Sequence, residues 1–304
     1  MNSNALVKTT ALCYRFSKNA IALSDINLHI ERGSIYGFLG PNGSGKTTTL
    51  RLLLGLLKMQ QGSVEMFGQS IQLNRIEVLK KVGSLIESPS LYGHLSAREN
   101  LEIYRPAYGM PKHRVDEVLT LCGLADTGNK QAKNFSLGMK QRLSIALALL
   151  PKPELLILDE PTNGLDPGGI IELRELIKKL NKEEGITMLI SSHLLVEVER
   201  MVSHVGIIFK GKMLFQGSLP ELNQFQQRQT KLLLHTSDNE AAIRLLQEHS
   251  PERLENAIAV PYNGIAQVAQ INRQLLKNDL DVYLLQPQEN NLEQLFINLT
   301  STQS

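Results

Sequence analysis

The segment of the chain with the clearest chemistry is a glycine-rich stretch followed by lysine and threonine. Gly40, Gly45, Lys46 and Thr47 have the spacing G-x-x-x-x-G-K-[ST], directly after an apolar run that ends at Leu39. Glycines leave backbone N–H groups free to surround phosphate oxygens, the lysine reaches the outer phosphates, and the threonine hydroxyl is a ligand for Mg²⁺. This pattern predicts a nucleoside triphosphate site, but kinases, GTPases and motor ATPases all share it. The predicted site residues are Gly40, Pro41, Asn42, Gly43, Ser44, Gly45, Lys46, Thr47 and Thr48.

Two adjacent carboxylates and a histidine follow two other apolar runs. Asp159 and Glu160 come directly after residues 155–158, and His193 follows residues 187–192. Open α/β sheets bind ligands at the carboxyl ends of their strands, so we expect these side chains beside the phosphate loop. There Asp159 is suited to Mg²⁺, and Glu160 to the general base that polarises an attacking water. A lone histidine is more often structural, and it is the matching strand-end position that favours a catalytic role for His193.

Short apolar runs alternate with helical patterns from about residue 5 to residue 217. This alternation predicts an α/β core around a largely parallel sheet. Few strand patterns occur over residues 88–150, which we interpret as a helical insert. The predicted buried central strands are residues 34–39, 155–158 and 187–190, and the predicted hairpin joins residues 205–209 to 212–215.

The last part of the chain is predicted to form a separate small α/β domain. Residues 223–229 are rich in glutamine and lack a clear period, so we interpret them as a linker between domains at 1–222 and 230–304. The predicted strands of the tail are residues 231–235, 257–260 and 282–285, and its predicted helices are residues 240–248, 265–277 and 292–299. No catalytic cluster is evident there, which favours regulation or subunit contact as its task.

Composition excludes several classes of protein. The 304 residues include 32 Lys and Arg against 30 Asp and Glu, a net charge of +2, so no broad basic surface for nucleic acid is expected. No run approaches the roughly 20 apolar residues that span a bilayer. The two cysteines, Cys13 and Cys122, are far apart, which fits a reducing compartment and predicts neither a zinc site nor a disulfide framework.

The order of the motifs resembles the ATP-binding subunit of an ABC transporter. After the phosphate loop come the segment 135–142, Phe-Ser-Leu-Gly-Met-Lys-Gln-Arg, then residues 155–166, and then His193. The resemblance implies a P-loop NTPase of the ABC ATPase type, with a RecA-like core, a helical subdomain and an antiparallel β subdomain, plus the small C-terminal α/β domain. It also implies that Ser136 and Gly138 belong to the signature sequence, that Asp166 belongs to the D-loop, and that His193 is the switch histidine. Within the family the chain is most similar to bacitracin, lantibiotic and daunorubicin exporter ATPases.

Three residues, at two sites, depart from the pattern of the family. Leu137 and Met139 stand where the usual signature, Leu-Ser-Gly-Gly-Gln, has its second-last glycine and its glutamine. Glu87 stands where most members have a glutamine that touches Mg²⁺ and the attacking water. The resemblance therefore implies a catalytic and metal-binding position for Glu87, with a surface glutamate as the alternative. The family also places an aromatic side chain on adenine, for which Phe16 fits best and Tyr14 is the competitor.

One copy of each motif implies that two chains cooperate. In the family each ATP, with its Mg²⁺, lies between the phosphate loop of one subunit and the signature of another, so the resemblance implies a homodimer. Transport then needs separate integral membrane permease subunits, contacted around residues 88–95 from the cytoplasmic face of the membrane. The expected activity is ATP hydrolysis that powers export of a peptide, an antibiotic or a lipid-like molecule. The alternative is a soluble ABC-type ATPase acting on a ribosome or a repair complex.

Overall fold

The computed structural model describes residues 5–17, 20–86, 91–194 and 199–288, and the side chains within these ranges except those of residues 226–229. The chain divides into two compact units, Met1–Leu219 and Pro220–Ser304. The strands of the first unit are β1 (Ala5–Ser17), β2 (Ala20–Ile26), β3 (His29–Glu31), β4 (Ile35–Leu39), β5 (Gln61–Met66), β6 (Gln69–Ser70), β7 (Val82–Leu85), β8 (Leu155–Asp159), β9 (Thr187–Ser192), β10 (His204–Phe209) and β11 (Lys212–Ser218). Its helices are α1 (Lys46–Leu53), α2 (Arg75–Leu79), α3 (Ala97–Tyr104), α4 (His113–Leu121), α5 (Leu137–Leu149) and α6 (Pro167–Glu184), with short 3₁₀ turns at Ala125–Thr127 and Ala132–Asn134.

A six-stranded sheet forms the centre of this unit, in the order β11-β10-β4-β9-β8-β7. Every pair is parallel except the β10–β11 hairpin. The residues of β4 and β9 are all buried, because strands in the middle of a parallel sheet are covered on both faces. The three predicted central strands and the hairpin are confirmed. Parallel pairing brings the carboxyl ends of β4, β8 and β9 to one edge of the sheet.

An antiparallel sheet, in the order β2-β1-β5-β6 with β3 also paired to β1, packs into the same core. Leu6, Val7 and Leu12 of β1 and Val64 and Met66 of β5 belong to one buried cluster. This cluster also includes residues of α1, β4 and β8, so the second sheet is fixed against the element that follows the phosphate loop.

Helices α3, α4 and α5 occupy the segment between β7 and β8, as the predicted helical insert requires. Ser96 caps α3 through a capping box with Glu99, and the backbone N–H of Ser96 donates to the Glu99 carboxylate at 2.7 Å. The guanidinium of Arg114 on α4 donates to the carbonyls of Leu149, at 2.7 Å, and Leu150, at 3.3 Å. These bonds satisfy carbonyl groups that the end of α5 would leave without a partner.

The second unit contains α7 (Leu219–Gln229, which begins at the boundary), α8 (Asn239–Leu245) and α9 (Ile265–Leu276), with a 3₁₀ turn at Gln247–His249. Its strands are β12 (Lys231–Thr236), β13 (Glu252–Arg253), β14 (Ile258–Pro261) and β15 (Val282–Gln288), and they form an antiparallel sheet in the order β13-β14-β12-β15. Leu232, Leu234, Leu246, Ile271 and Leu275 form part of a buried cluster within this unit. The predicted helix at 292–299 lies outside the described residues.

The linker predicted at residues 223–229 is wrong, because α7 runs through it. Glutamine is a good helix former although it gives no apolar period. Pro220 stands in the first turn, where a missing N–H costs little, and Leu222 is fully buried. Among residues 219–225, whose burial is described, Leu222 alone is buried, which is too little for an amphipathic pattern to be recognised.

Candidate functional site

The phosphate loop connects β4 to α1 and is closely confined by its neighbours. A side chain at Gly40 would place its Cβ 2.3 Å from the carbonyl oxygen of Ile208, so this position has no room for any residue larger than glycine. Gly45, which precedes α1, has a φ of 112°, and a Cβ there would lie 2.6 Å from Leu23 of β2. The loop is therefore fixed in shape by β10 on one side and β2 on the other.

Lys46 begins α1 and extends back along the loop. Its side chain is only 5% exposed, and its Nζ donates to the carbonyl oxygens of Gly40 at 2.6 Å and Pro41 at 3.2 Å. The same nitrogen lies 3.1 Å from Oε1 of Glu160. The hydroxyl of Ser44 is buried and has no hydrogen-bond partner in the part of the chain that the structure describes. A buried ammonium and an unsatisfied hydroxyl in one glycine-rich loop suit a phosphate ligand.

Thr47 and Asp159 lie side by side at the edge of the central sheet. The Thr47 hydroxyl donates to Oδ2 of Asp159 at 2.8 Å. One side chain, on α1, offers a neutral oxygen, and the other, on β8, offers an anionic oxygen. Mg²⁺ uses protein oxygens of this kind together with oxygens of phosphate and water. The parallel order β4-β9-β8 explains how residues 112 positions apart meet.

Glu160 follows β8 and is held by two cationic or ionisable neighbours. Its Oε2 lies 2.8 Å from Nδ1 of His193, and its Oε1 faces Lys46. The carboxylate is 20% exposed, so water reaches it, and the backbone at Glu160 has a φ of 48°. The structure thus brings together the carboxylate and the histidine that the sequence places 33 residues apart.

Sequence reasoning missed one residue of this arrangement. Ser191 of β9 donates from its hydroxyl to Oδ1 of Asp159, and the same hydroxyl accepts the backbone N–H of Glu160 at 2.8 Å. The segment Ser191-Ser192-His193 offers a hydroxyl two residues before the histidine, but only the strand register shows which acid it meets. In the parallel pair of β8 and β9, Ser191 stands opposite Asp159.

A cavity of about 620 Å³ opens beside the two acids. Asp159 and Glu160 form one wall, Leu91 and Gly93 contribute from the start of the helical insert, and Leu137 contributes from the first turn of α5. The space next to the carboxylates is thus bounded by both the core and the insert.

Comparison with known proteins identifies the family. A family model described as ABC transporter matches residues 23–163. The bacitracin transport ATP-binding protein BcrA of Bacillus licheniformis is 43% identical over 301 residues, which cover 97% of each chain. The chain belongs to the ABC transporter ATP-binding proteins. It is the subunit that binds and hydrolyses ATP to power transport, and a non-transport role on a ribosome or repair complex is not favoured.

Two further ABC proteins extend the comparison. The lantibiotic transport ATP-binding protein SrtF of Streptococcus pyogenes is 43% identical over 211 residues, covering 69% of this chain and 90% of that protein. A solved dimeric ATP-binding cassette in a post-hydrolysis state, bound to ADP and Pi, matches with a TM-score of 0.62 and 28% identity, covering 70% of this chain and 98% of the other. The predicted resemblance and the ABC ATPase fold are confirmed. None of the described helices is both long enough and apolar enough to cross a bilayer.

The segment that the sequence predicts to be the ABC signature, residues 135–142, lies at the start of α5. Ser136 is the N-cap residue, and its hydroxyl accepts the backbone N–H of Met139 at 3.2 Å. Gly138 lies in the first turn, and Leu137, which departs from the family, is 52% exposed. A Cβ on Gly164 would lie 3.1 Å from the Leu137 side chain, so the signature adjoins the segment before α6.

Asp166, the residue expected in the D-loop, is the N-cap of α6. Its carboxylate accepts the backbone N–H of Gly169 at 3.1 Å, and Pro167 follows in the first turn. The structure brings Asp166 to the end of the segment that follows Glu160, but in this chain its carboxylate bonds to its own helix.

The two aromatic candidates for adenine lie on β1 and differ in exposure. Phe16 is 61% exposed, whereas Tyr14 packs against the buried cluster, and their rings meet edge to face at 5.1 Å between centroids. Tyr14 pairs with Leu23 of β2, the residue that adjoins Gly45. Tyr14 thus lies beside the phosphate loop through Leu23, and Phe16 reaches it through its ring contact with Tyr14. Glu87, and residues 88–90 of the expected permease contact, lie outside the described residues.

Proposed function

We propose that two copies of this chain bind two ATP molecules with Mg²⁺, and that hydrolysis drives export through separate membrane subunits. The observation that carries the proposal is the position of the Glu160 carboxylate, 3.1 Å from Lys46 and 2.8 Å from His193 at the strand edge beside Thr47 and Asp159. A carboxylate placed between a phosphate-binding lysine and a histidine is suited to orienting water toward a terminal phosphate.

Mg²⁺ would be held by Thr47 and Asp159, with Glu87 as a further ligand from the sequence. No group of three or more His, Cys, Asp or Glu side chains suited to a metal occurs in the described ranges 5–17, 20–86, 91–194 and 199–288. This agrees with Mg²⁺ chemistry, since the ion usually takes one or two protein carboxylates and completes its shell with phosphate and water. When bound, it neutralises charge on the phosphates.

The side chains around ATP have separate tasks in this proposal. Residues 40–48 enclose the phosphates through backbone N–H groups and Lys46, and the exposed ring of Phe16 stacks on adenine. Glu160 accepts a proton from the attacking water, and His193 orients the Glu160 carboxylate through its Nδ1 contact. Glu87 is assigned to the water and the metal from the sequence alone.

The N-terminus of α5 would serve the nucleotide of the partner subunit. Ser136 and Gly138 stand where the unpaired backbone N–H groups of a 13-residue helix favour an anion. Each chain offers one phosphate loop and one such helix end, so a closed dimer encloses both nucleotides, with Asp166 at the interface. The solved dimeric cassette of the same family supports this arrangement.

The names of the relatives support the proposed cargo, and the proposed location comes from the resemblance to the family. Proteins named for bacitracin transport and lantibiotic transport are 43% identical to this chain, which favours export of a peptide antibiotic or a molecule of similar character. The membrane path would be supplied by permease subunits that contact residues 88–95, with this chain on the cytoplasmic face of the membrane. Nucleic acid has no part in this proposal.

The proposal is tested with Glu160→Gln, which keeps the shape of the side chain and removes the base. We expect it to bind ATP, to lose hydrolysis by at least about 100-fold, and to form a dimer with ATP and Mg²⁺ on size-exclusion chromatography. Glu175→Gln is the matched control, since Glu175 is an exposed residue of α6 paired with Lys178. A monomer that holds ATP at millimolar concentration, or unchanged turnover, would contradict the proposal.

The cargo is tested by producing the chain, together with a permease encoded by a neighbouring gene, in a host that is sensitive to a peptide antibiotic. We expect resistance to a peptide antibiotic with the unmodified chain and sensitivity with Glu160→Gln. Equal resistance with both chains would show that hydrolysis here does not power export.

A further inference from the structure

The Ser191 hydroxyl contacts both acidic residues of the candidate site, Asp159 and Glu160. It stands at the carboxyl end of β9, opposite Asp159 in the parallel pair, and it is fully buried. Its hydroxyl donates to Oδ1 of Asp159 and accepts the backbone N–H of Glu160 at 2.8 Å. One oxygen atom therefore connects the carboxylate suited to Mg²⁺ with the residue suited to activate water.

The second hydrogen bond of Asp159 explains why Ser191 matters most when nucleotide is bound. Oδ2 of Asp159 accepts the Thr47 hydroxyl at 2.8 Å. Under the proposed function the Thr47 hydroxyl oxygen would bind Mg²⁺, and its hydrogen bond to Asp159 would then change. The Ser191 hydroxyl lies on the other side of the carboxylate, at Oδ1, and it is free to keep its bond. Ser191 is thus the fixed support of Asp159, and Thr47 the exchangeable one.

The backbone at Glu160 gives Ser191 a second task. A φ of 48° lies in the left-handed region, which residues with a Cβ adopt only when the surroundings hold them there. The bond from the Glu160 N–H to Ser191 holds this conformation, and the side chain that leaves from it meets His193 at 2.8 Å. The direction of the Glu160 carboxylate therefore depends on the Ser191 hydroxyl.

We infer that Ser191 is a positioning residue that orients Asp159 for the metal and Glu160 for water. This inference rests on the proposed function and adds a residue that touches neither nucleotide nor metal. Groups that orient a metal ligand through a hydrogen bond typically change metal affinity by about 10- to 100-fold when they are removed. A residue with only a structural role would change stability and leave metal affinity at its original value.

The experiment measures binding of Mn²⁺, a paramagnetic substitute for Mg²⁺, to the full chain with ATP by electron paramagnetic resonance, with Glu160→Gln as background to prevent turnover. We expect Ser191→Ala to weaken Mn²⁺ binding by about 10- to 100-fold and to leave ATP binding in EDTA unchanged. Ser191→Thr keeps the hydroxyl and should keep the Mn²⁺ affinity. The inference would be overturned if Ser191→Ala bound Mn²⁺ as tightly as the background chain does, or if Ser191→Thr weakened Mn²⁺ binding as much as Ser191→Ala.

Thr187→Val is the matched control at the other end of the same strand. Thr187 is fully buried, and its hydroxyl accepts the backbone N–H of Gly33 at 2.8 Å, far from the two acids along β9. We expect Thr187→Val to lose about as much thermal stability as Ser191→Ala and to keep its Mn²⁺ affinity. Equal weakening in Thr187→Val would assign the effect to stability and overturn the inference.

Two further results separate the inference from the proposed function. If Ser191→Ala does not fold, Ser191→Cys supplies the comparison, because a thiol of similar size is a much weaker donor, and wild-type Mn²⁺ affinity in it would overturn the inference. If the background chain without a change at Ser191 binds no Mn²⁺ with ATP, the proposed function itself fails, and the inference with it.

Discussion

Lys46 shows how a single buried charge connects the phosphate loop to Glu160, the proposed general base. Its Nζ lies within 3.2 Å of the oxygens of Gly40, Pro41 and Glu160, and a buried ammonium needs partners of this kind. Phosphate oxygens would take the place of some of them. The ion pair with Lys46 also holds Glu160 in place, so we expect ATP binding and hydrolysis both to depend on Lys46.

We predict that Lys46→Ala lowers ATP affinity and turnover together. Loss of a charged hydrogen bond costs about 1.5–3 kcal/mol, which is at least about a tenfold change in the dissociation constant of ATP. The measurement is titration with a fluorescent ATP analogue, with Lys178→Ala on the exposed face of α6 as control. Unchanged ATP affinity in a folded Lys46→Ala chain would contradict the assignment.

Phe16 and Tyr14 are the two candidates for stacking on adenine, and their exposure favours Phe16. The Phe16 ring is 61% exposed, whereas Tyr14 packs on the core. We predict that Phe16→Ala weakens ATP binding by about 1–3 kcal/mol, the usual contribution of a base stacked on an aromatic ring. Phe16→Trp should restore the affinity for ATP.

The comparison with Tyr14→Ala tests the choice of ring. We expect this variant to lose thermal stability and, once folded, to bind ATP as the unmodified chain does. If ATP affinity fell in Tyr14→Ala and not in Phe16→Ala, Tyr14 would be the adenine platform. Isothermal titration calorimetry distinguishes the two results.

Among the structural elements, the sequence predicts the strands and loops that a short local pattern of residues identifies. The strands β4, β8 and β9 each contain a short apolar run, and the phosphate loop is a contiguous motif, so both were predicted from short segments. The bonds of Ser191 depend on the register between β8 and β9, and no short segment contains that information. Helix α7 was missed because its glutamines favour a helix without an apolar stripe.

An ion pair connects the segments that precede two strands of the central sheet, at the end of the strands opposite the candidate site. Nη1 of Arg32, before β4, donates to Oε2 of Glu154, before β8, at 2.6 Å. This bond from Arg32 holds the pKa of Glu154 below its usual value, burial opposes the shift, and the charge of Lys81 assists it. Both side chains of the pair are 39% or more exposed, so the pair contributes no more than about 1 kcal/mol to the free energy of unfolding.

We predict that the contribution of the Arg32–Glu154 pair to the free energy of unfolding decreases as the pH falls. Because the pKa of Glu154 is lowered in the folded chain, the stabilisation is complete above the unfolded value of about 4.3 and is lost as the pH falls through the folded value. Arg32→Ala should therefore lower the unfolding temperature at pH 7 and have a smaller effect below pH 4. A double-mutant cycle with Glu154→Gln, followed by circular dichroism, isolates the pair, and an effect that grows on acidification would contradict it.

At the scale of the whole molecule, the chemistry is confined to the first unit. Every described residue proposed for ATP, Mg²⁺ or catalysis lies between Phe16 and His193, and the buried cluster of the second unit is formed by its own strands and helices. The relative SrtF aligns over 211 residues, 69% of this chain, whereas BcrA aligns over 97%. Transport ATP-binding proteins of the family thus differ in how much of this chain they match, which favours an accessory role for the second unit.

We predict that a chain truncated after Leu219 folds, binds ATP with the affinity of the full chain, and fails to support transport with the permease. The cut falls at the boundary between the two units, before most of α7, so it leaves the strands and helices of the first unit complete. A second truncation after Gln288 removes only residues 289–304 and separates the tail from the rest of the second unit. Circular dichroism checks folding, and ATP titration and antibiotic resistance check the two activities. If the chain truncated after Leu219 were folded but bound ATP weakly, the second unit would contribute to the nucleotide site, and the division of labour between the two units would be wrong.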